Sequence, residues 1–148
     1  MRKTALLLTV LFATICLFSC GKKEVKLTSQ DSKTAEEAFA LIEKTREAFM
    51  KNDRDAIREN ATESGYKDAT ANRKSYDSVE LDFTPRWVEI EQNKVTVNVT
   101  WKSKWTSGGK KTEDRGMSVF VMEGRPLKLS AILRTNPFIF PDQPQPRL

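Results

Sequence analysis

Three tryptophans are the side chains best suited to bind a ligand, because an indole ring offers a large contact area to a sugar or an apolar molecule. Trp101 and Trp105 are four residues apart in an alternating segment, so both belong to one face of a strand. Trp87 lies in the preceding segment. The three rings are candidates for the floor of a pocket. The alternatives are core residues that cover a helix, or an aromatic contact between two copies of the chain.

Histidine is absent from the 148 residues, which excludes every mechanism that requires a histidine base, nucleophile partner or metal ligand. Both cysteines, Cys16 and Cys20, lie in the first 20 residues, so the remaining chain has no disulfide and no cysteine-ligated zinc. No glycine-rich phosphate loop or nucleophile elbow is present. We therefore expect no metal and no cofactor, and no motif marks a catalytic residue.

The segment before Cys20 makes this residue a candidate for lipid attachment. A short positive start is followed by an apolar run over residues 5–18, which is shorter than the roughly 20 residues of a membrane-spanning helix. Such a run is typical of a secretory signal peptide. It ends in Leu17-Phe18-Ser19-Cys20, which resembles the lipobox of bacterial lipoproteins. The resemblance implies cleavage before Cys20 and attachment of diacylglycerol to its thiol. The alternatives are ordinary cleavage after Ser19 or an uncleaved anchor.

A lipid on Cys20 would hold the protein on a membrane, since each buried CH₂ group contributes roughly 0.8 kcal/mol. The chain then divides into four parts: a signal peptide (1–19), the lipidated cysteine with a flexible tether (20–32), a single domain (33–140) and a disordered tail (141–148). We expect a location in the cell envelope, facing the periplasm or the exterior. In a Gram-negative organism the outer membrane is favoured, because the Asp that signals inner-membrane retention does not follow the cysteine.

The charge balance argues against nucleic acid as a partner. The net charge is +5, and it falls to +3 once residues 1–19 with their two positive charges are removed. Basic residues concentrate in one predicted hairpin: Lys102, Lys104, Lys110 and Lys111. This hairpin is a candidate for contact with an anionic glycan or lipid. The alternative is that these lysines prevent pairing with another sheet edge.

The elements that must position these residues begin with a helix over about residues 34–51. The sequence from Thr34 to Glu37 predicts a capping box with Thr34 as N-cap. A second, shorter helix is expected over about residues 53–62, and residues 66–78 allow a helix or a loop. Apolar or small residues at helical spacing mark the buried face of the first helix: Ala38, Leu41, Ile42, Thr45, Ala48 and Phe49.

From Val79 onward the hydrophobic period changes to two, which predicts strands. The alternation reverses its parity after Pro85, which indicates a bulge or bend. Turn residues divide the region into four strands joined by short connections, as in an antiparallel meander. Residues 137–141, apolar between two prolines, are a candidate to pack under the helices.

A long helix, a short helix that begins near Asn52-Asp53-Arg54-Asp55-Ala56-Ile57 and a bent meander together resemble the nuclear-transport-factor-two-like, or cystatin-like, superfamily over residues 33–136. The resemblance implies an α+β fold with N-terminal helices packed on a curved antiparallel sheet of about four strands. In that family the sheet wraps the long helix into a cone whose open end is a pocket, and the sheet face is often a dimer interface. Six aromatic residues are candidates to line such a pocket: Phe49, Tyr66, Tyr76, Trp87, Trp101 and Trp105.

The leading hypothesis is a lipid-anchored, non-enzymatic domain that binds an unknown envelope protein or a small apolar ligand, with a homodimer through the sheet face as a further possibility. The first alternative is a small-molecule-binding protein, or an isomerase- or lyase-like enzyme, that uses the cone pocket. The resemblance supplies residue types for a ketosteroid-isomerase-type site in Tyr66, Tyr76, Asp82 and Asp114, although none lies in a recognisable motif. The second alternative is a binder of anionic envelope glycan or lipid through the basic hairpin.

Overall fold

The structure, a computed structural model, describes residues 29–142. The predicted signal peptide, the lipobox with Cys20, most of the tether and residues 143–148 of the predicted tail lie outside the described residues. The elements in chain order are α1 (Gln30–Met50), α2 (Arg54–Glu59), α3 (Glu63–Ala69), β1 (Ser78–Glu91), β2 (Lys94–Ser107), β3 (Lys110–Glu123) and β4 (Lys128–Arg134). The strands form one antiparallel sheet in the order β1-β2-β3-β4, so the predicted α+β class and meander are confirmed.

The long helix α1 presents the predicted face to the core. All six residues of that face are buried: Ala38, Leu41, Ile42, Thr45, Ala48 and Phe49. Its start differs from the prediction, because Ser29 and not Thr34 is the N-cap and accepts a hydrogen bond from the Ser32 N–H at 3.1 Å. No glycine or proline separates Ser29 from Thr34, so the helix extends back to the earlier cap. Residues 30–32, assigned to the tether from the sequence, form its first turn.

The two short helices turn the chain from α1 toward the sheet. Of the two caps that the sequence offers for α2, Asn52 and Asp53, it is Asp53 that accepts a hydrogen bond from the Ala56 N–H at 3.0 Å. Thr62 caps α3 and accepts one from the Gly65 N–H at 3.2 Å. Gly65 is required here, because a Cβ at this position would overlap the carbonyl oxygen of Leu129 in β4. Helix α3 therefore packs directly on the backbone of the last strand.

The residues of β1 that point to the core change from odd-numbered to even-numbered positions at the predicted irregularity. The pairing of β1 with β2 shifts register between Pro85 and Trp87. Before the shift Leu81 and Phe83 face the helices, and after it Val88 and Ile90 are the partly buried residues that pack on the core. A bulge at this point bends the strand, and the sheet curves around α1.

One face of the curved sheet is covered by the helices and by the C-terminal segment, residues 136–142, which follows β4. Arg46 joins α1 to β1 by donating a hydrogen bond to the carbonyl oxygen of Leu81 at 2.8 Å. Phe138 and Phe140 belong to the same core cluster as the apolar face of α1. Within residues 29–142, no helix has the length and apolar character needed to cross a membrane.

Candidate functional site

A cleft opens where the last turn of α1 meets the chain between α3 and β1, and we name it the mouth cleft. Its volume is about 620 Å³. Its apolar floor is formed by Phe49, Ile57 and Val79, which have little exposed surface, together with the partly exposed Tyr76. Binding sites for small ligands have volumes of roughly 300 to 1,000 Å³, so the mouth cleft has the size of such a site.

Beneath the mouth cleft, the interior of the cone is filled by packed rings, which we name the aromatic cluster. Its members are Phe49, Tyr76, Trp105, Phe138 and Phe140. The Tyr76 ring meets the Trp105 ring edge-on with centroids 4.9 Å apart, and Phe140 lies 5.3 Å from Trp105 on another side. Trp105 and Phe138 are both 0% exposed. The mouth cleft therefore ends on the aromatic cluster and does not continue into an open cone.

Hydrogen bonds hold the C-terminal segment over the cone. The side chain of Asn136 accepts a bond from the Phe138 N–H at 2.9 Å and donates one to the carbonyl oxygen of Asp68 at 2.7 Å. The Phe140 N–H donates to the side-chain oxygen of Asn72 at 3.2 Å. Asp142 forms an ion pair with Lys74. Each end of the segment is thus fixed to the chain around α3, which keeps the two phenylalanines in the cone.

Two of the six aromatic residues proposed from the sequence line the mouth cleft: Phe49 and Tyr76. Trp105 lies beneath them within the aromatic cluster and has no exposed surface. Trp87, Trp101 and Tyr66 are placed elsewhere.

Trp87 lies on the outer face of the sheet and is 56% exposed. It pairs in register with Asn98, whereas Val88, the next residue, packs on the core. The bulge after Pro85 is the reason, because the extra residue moves Trp87 to the face opposite Val88.

Trp101 is buried on the inner side of β2, opposite Phe83 and Gly116 in the two neighbouring strands. Its ring lies over Gly116, where a Cβ would come within 2.6 Å of the ring atom Cζ2. Its indole N–H has no hydrogen-bond partner among residues 29–142. By contrast, the Trp105 indole donates to the hydroxyl of Ser103 at 3.0 Å. Trp101 thus acts as a packing residue against a glycine.

The residue types of an isomerase-like site are not brought together. Tyr66 is on α3 with the guanidinium of Arg58 4.0 Å from its ring centroid. Tyr76 lines the mouth cleft, whereas Asp82 and Asp114 line a separate groove on the strands. A base and an oxyanion donor must both contact one substrate, and this placement separates them.

Basic side chains surround the mouth cleft. Lys51, Arg54, Arg73 and Lys74 line it, and Asp77 is its single acidic lining residue. Lys51 also pairs with Glu47 on α1 at 3.4 Å, and Lys74 pairs with Asp142. The Lys74 ammonium lies 4.2 Å from the centroid of the Phe140 ring. The cleft therefore combines an apolar floor with a rim whose positive charge is partly neutralised by Glu47, Asp142 and Asp77.

The phenol of Tyr76 is perturbed by its surroundings at the mouth cleft. Burial raises the pKa of its phenol above the ordinary 10.0, and the positive charge of Arg54 acts in the opposite direction. The phenol is therefore neutral at physiological pH and can donate a hydrogen bond into the cleft. Arg54 begins α2 and is placed by the Asp53 cap.

The predicted basic hairpin is partly neutralised on the outer face of the sheet. Lys104 lies in register between Glu80 and Glu113, with an ion pair of 3.7 Å to Glu113. Lys102 lies in register between Asp82 and Arg115, so it has an opposite charge on one side and a like charge on the other. The row Glu80, Lys104 and Glu113 alternates in sign, which stabilises the sheet and reduces the positive potential around Lys104.

Sequence reasoning missed the basic rim of the mouth cleft. Its residues come from two short stretches, Lys51 to Arg54 and Arg73 to Lys74, which the fold brings together. The adjacent basic residues Arg73 and Lys74 are visible in the sequence, but no periodic pattern connects them with Arg54. Within residues 29–142, no group of three or more acidic or cysteine side chains is placed to hold a metal ion.

The fold is similar to that of solved structures with low sequence identity. A nuclear transport factor 2 (NTF2-like) superfamily protein from Salmonella enterica superposes with a TM-score of 0.62 at 13% identity, over 72% of this chain and 93% of that one. An NTF2-like protein of unknown function from Shewanella oneidensis gives a TM-score of 0.49 at 15% identity, over 66% of this chain and 95% of that one. No protein-family model and no curated protein match the sequence. The Salmonella structure shows that the fold is NTF2-like, as the element order predicts.

Proposed function

We propose that the chain is an exported, lipid-anchored lipoprotein of the cell envelope whose NTF2-like domain binds a ligand or an envelope protein without catalysis. The anchoring part rests on Leu17-Phe18-Ser19-Cys20 at the end of an apolar run of signal-peptide length. The protein faces the periplasm or the exterior, on the outer membrane if the organism is Gram-negative.

The filled cone is the observation that carries the binding role. An enzyme of this fold needs a cavity in which an acid or base reaches its substrate, and here Trp105, Phe138 and Phe140 occupy that space. The mouth cleft remains as a concave surface of ligand size. Its floor is backed by packed rings, so a ligand meets a surface that is already formed.

The position of α1 supports a mouth cleft that faces away from the membrane. The helix has 21 residues, and at 1.5 Å per residue its ends are roughly 30 Å apart. The tether from Cys20 joins the end at Gln30, and the mouth cleft lies at the end near Met50. An anchor at one end thus leaves the cleft open to molecules in the surrounding compartment.

Incorporation of labelled palmitate tests the anchor. We expect label in the wild-type protein and in the control variant Cys16→Ala, and none in Cys20→Ala. The Cys20→Ala variant should also move from the membrane fraction to the soluble fraction. Unlabelled wild-type protein, or unchanged fractionation of Cys20→Ala, would show that the proposed anchor is wrong.

The outer face of the sheet supports a homodimer as the second proposal. Trp87 and Met117 are the large hydrophobic side chains that are exposed within residues 29–142, at 56% and 40%. Val119 and Val121 lie on the same face, beside Asn98 and Thr96, but they are only 8% and 7% exposed, so the exposed apolar surface is that of Trp87 and Met117. Exposed apolar surface of this kind is typical of an interface between protein chains.

Sedimentation analysis tests the homodimer. The wild-type protein should sediment as a dimer, and Trp87→Asp should sediment as a monomer because a carboxylate would be buried without a partner. The control variant Lys111→Asp changes charge at the end of the β2–β3 hairpin and should leave the dimer intact. A monomeric wild-type protein contradicts the proposal.

A further inference from the structure

Around its apolar floor, the mouth cleft presents side chains that can donate hydrogen bonds to a ligand. Arg54 contributes a guanidinium group, and the neutral phenol of Tyr76 contributes a hydroxyl. Guanidinium groups donate hydrogen bonds and cannot accept them, so their natural partner is an anion with several oxygen atoms. Asp77 is the single lining residue that would repel such a group.

The floor of the cleft favours a ligand that also has an apolar part. The Tyr76 ring is stacked near Phe49, with centroids 6.1 Å apart and planes 25° apart, and it meets Trp105 edge-on. These rings are fixed by the core cluster, so the floor does not have to rearrange when a ring or a short alkyl chain is placed against it. Tyr76 is the partly exposed ring of the floor, so an apolar group of the ligand would cover its exposed surface.

We infer that the mouth cleft binds a small amphiphilic anion: a carboxylate, sulfonate or phosphate group attached to an aromatic ring or a short alkyl chain. The acidic group lies between Arg54 and the Tyr76 hydroxyl, and the apolar part lies on Tyr76 and Phe49. This inference rests on the proposed function, because it gives the ligand class of the same binding domain. It disfavours cationic ligands, because the charge of Arg54 would repel them.

Three probes separate the contributions of charge and ring: phenyl phosphate, inorganic phosphate and benzyl alcohol. Calorimetric titration of the full chain in a non-ionic detergent, with a detergent blank, gives the dissociation constant for each. We expect phenyl phosphate to bind about tenfold or more tightly than either of the other probes, since it uses both parts of the cleft. Equal affinity for phenyl phosphate and inorganic phosphate, or for phenyl phosphate and benzyl alcohol, would overturn the inference.

Two variants locate the site. Arg54→Gln should weaken phenyl phosphate about tenfold by removing a charge-assisted hydrogen bond, and it should leave benzyl alcohol unchanged. Tyr76→Phe should weaken phenyl phosphate several-fold while it keeps the ring. Arg54 is exposed, so its substitution should leave the circular dichroism spectrum and the unfolding midpoint unchanged.

Two matched controls exclude other surfaces. Lys111→Gln removes an exposed positive charge from the β2–β3 hairpin, and Trp87→Ala removes the exposed ring of the outer face. Both should keep the wild-type affinity. The inference is wrong if Lys111→Gln weakens binding as much as Arg54→Gln, or if Trp87→Ala abolishes it. Palmitate incorporation is independent of these variants, so failure here and failure of the anchor are distinguishable.

Discussion

The ring centroid of Phe138 lies 4.7 Å from that of Phe49, which joins the C-terminal segment to the last turn of α1. These residues are far apart in the sequence, yet both belong to the cluster that fills the cone. The contact makes residues 136–142 part of the core and sets the floor of the mouth cleft. Both the stability of the domain and the shape of its candidate site therefore depend on a segment that follows the last strand.

Phe138→Ala should lower the free energy of unfolding by about 3 to 5 kcal/mol, because it removes a fully buried ring and leaves a cavity. Urea unfolding followed by circular dichroism measures the change. The control variant Lys111→Ala, at an exposed position, should change stability by less than about 0.5 kcal/mol. A loss below about 1 kcal/mol for Phe138→Ala would mean that the segment is not part of the core.

Gly65→Ala should destabilise the domain by about 3 kcal/mol or more, since the new Cβ would overlap the backbone of Leu129 and push α3 away from β4. Its neighbour Ser64 is exposed on the same helix, so Ser64→Ala is the matched control and should be nearly neutral. Thermal unfolding of both variants checks this. Similar midpoints for the two variants would contradict the close approach.

Ser29→Ala should cost about 1 kcal/mol through loss of the cap on α1. Thr34→Ala tests the alternative start suggested by the sequence, and it should change stability by less than about 0.5 kcal/mol because Thr34 lies in the second turn. Chemical unfolding of both variants distinguishes the two starts. A larger loss of stability for Thr34→Ala than for Ser29→Ala would show that Thr34, and not Ser29, caps α1.

Tyr76 should make the protein less stable as the pH rises above 10. Its pKa is raised in the folded state, so the unfolded chain loses this proton first and binds fewer protons in that range. The stability that the neutral phenol contributes is fully present below the pKa of the unfolded chain. It is lost as the pH rises through the higher pKa of the folded state. Tyr76→Phe should therefore show a weaker decline in unfolding free energy at high pH, measured in urea at a series of pH values. Equal declines would contradict the burial of the phenol.

Arg54→Gln should raise the pKa of Tyr76 further, because the guanidinium charge is the interaction that lowers it. Ultraviolet absorbance of tyrosinate during a pH titration follows the change, with Tyr76→Phe identifying the signal. Lys111→Gln removes a charge from the hairpin and is the control. An unchanged or lower Tyr76 pKa in Arg54→Gln would show that Arg54 does not act on the phenol.

Local patterns predicted the long helix, the four strands and the buried face of α1, whereas the second helix ends at Glu59 and not near residue 62. The helical spacing identified all six buried residues of α1, and the change of parity after Pro85 marked the register shift that the structure contains. Both features depend on neighbours within a few residues, which a hydrophobic pattern records. The start of α1 was wrong because the segments around Ser29 and Thr34 both offer acceptable caps.

The site depended on contacts that no local pattern contains. Asn136 reaches Asp68, 68 residues earlier in the chain, and Phe140 reaches Asn72 over the same separation. The six aromatic residues were chosen by type, and the fold distributed them among the mouth cleft, the core, the outer face and α3. Trp87 was proposed as a pocket residue by its type alone, although the bulge that the sequence indicated places its ring on the outer face of the sheet.

Hydrogen exchange of the Phe138 and Phe140 amides in the full chain tests the central claim that the C-terminal segment closes the cone. These amides donate to Asn136 and Asn72, and the claim predicts protection comparable to that of the Val97 and Phe120 amides in the central strands. If these two amides exchange at the rate of an unprotected amide while the strands stay protected, the C-terminal segment does not close the cone.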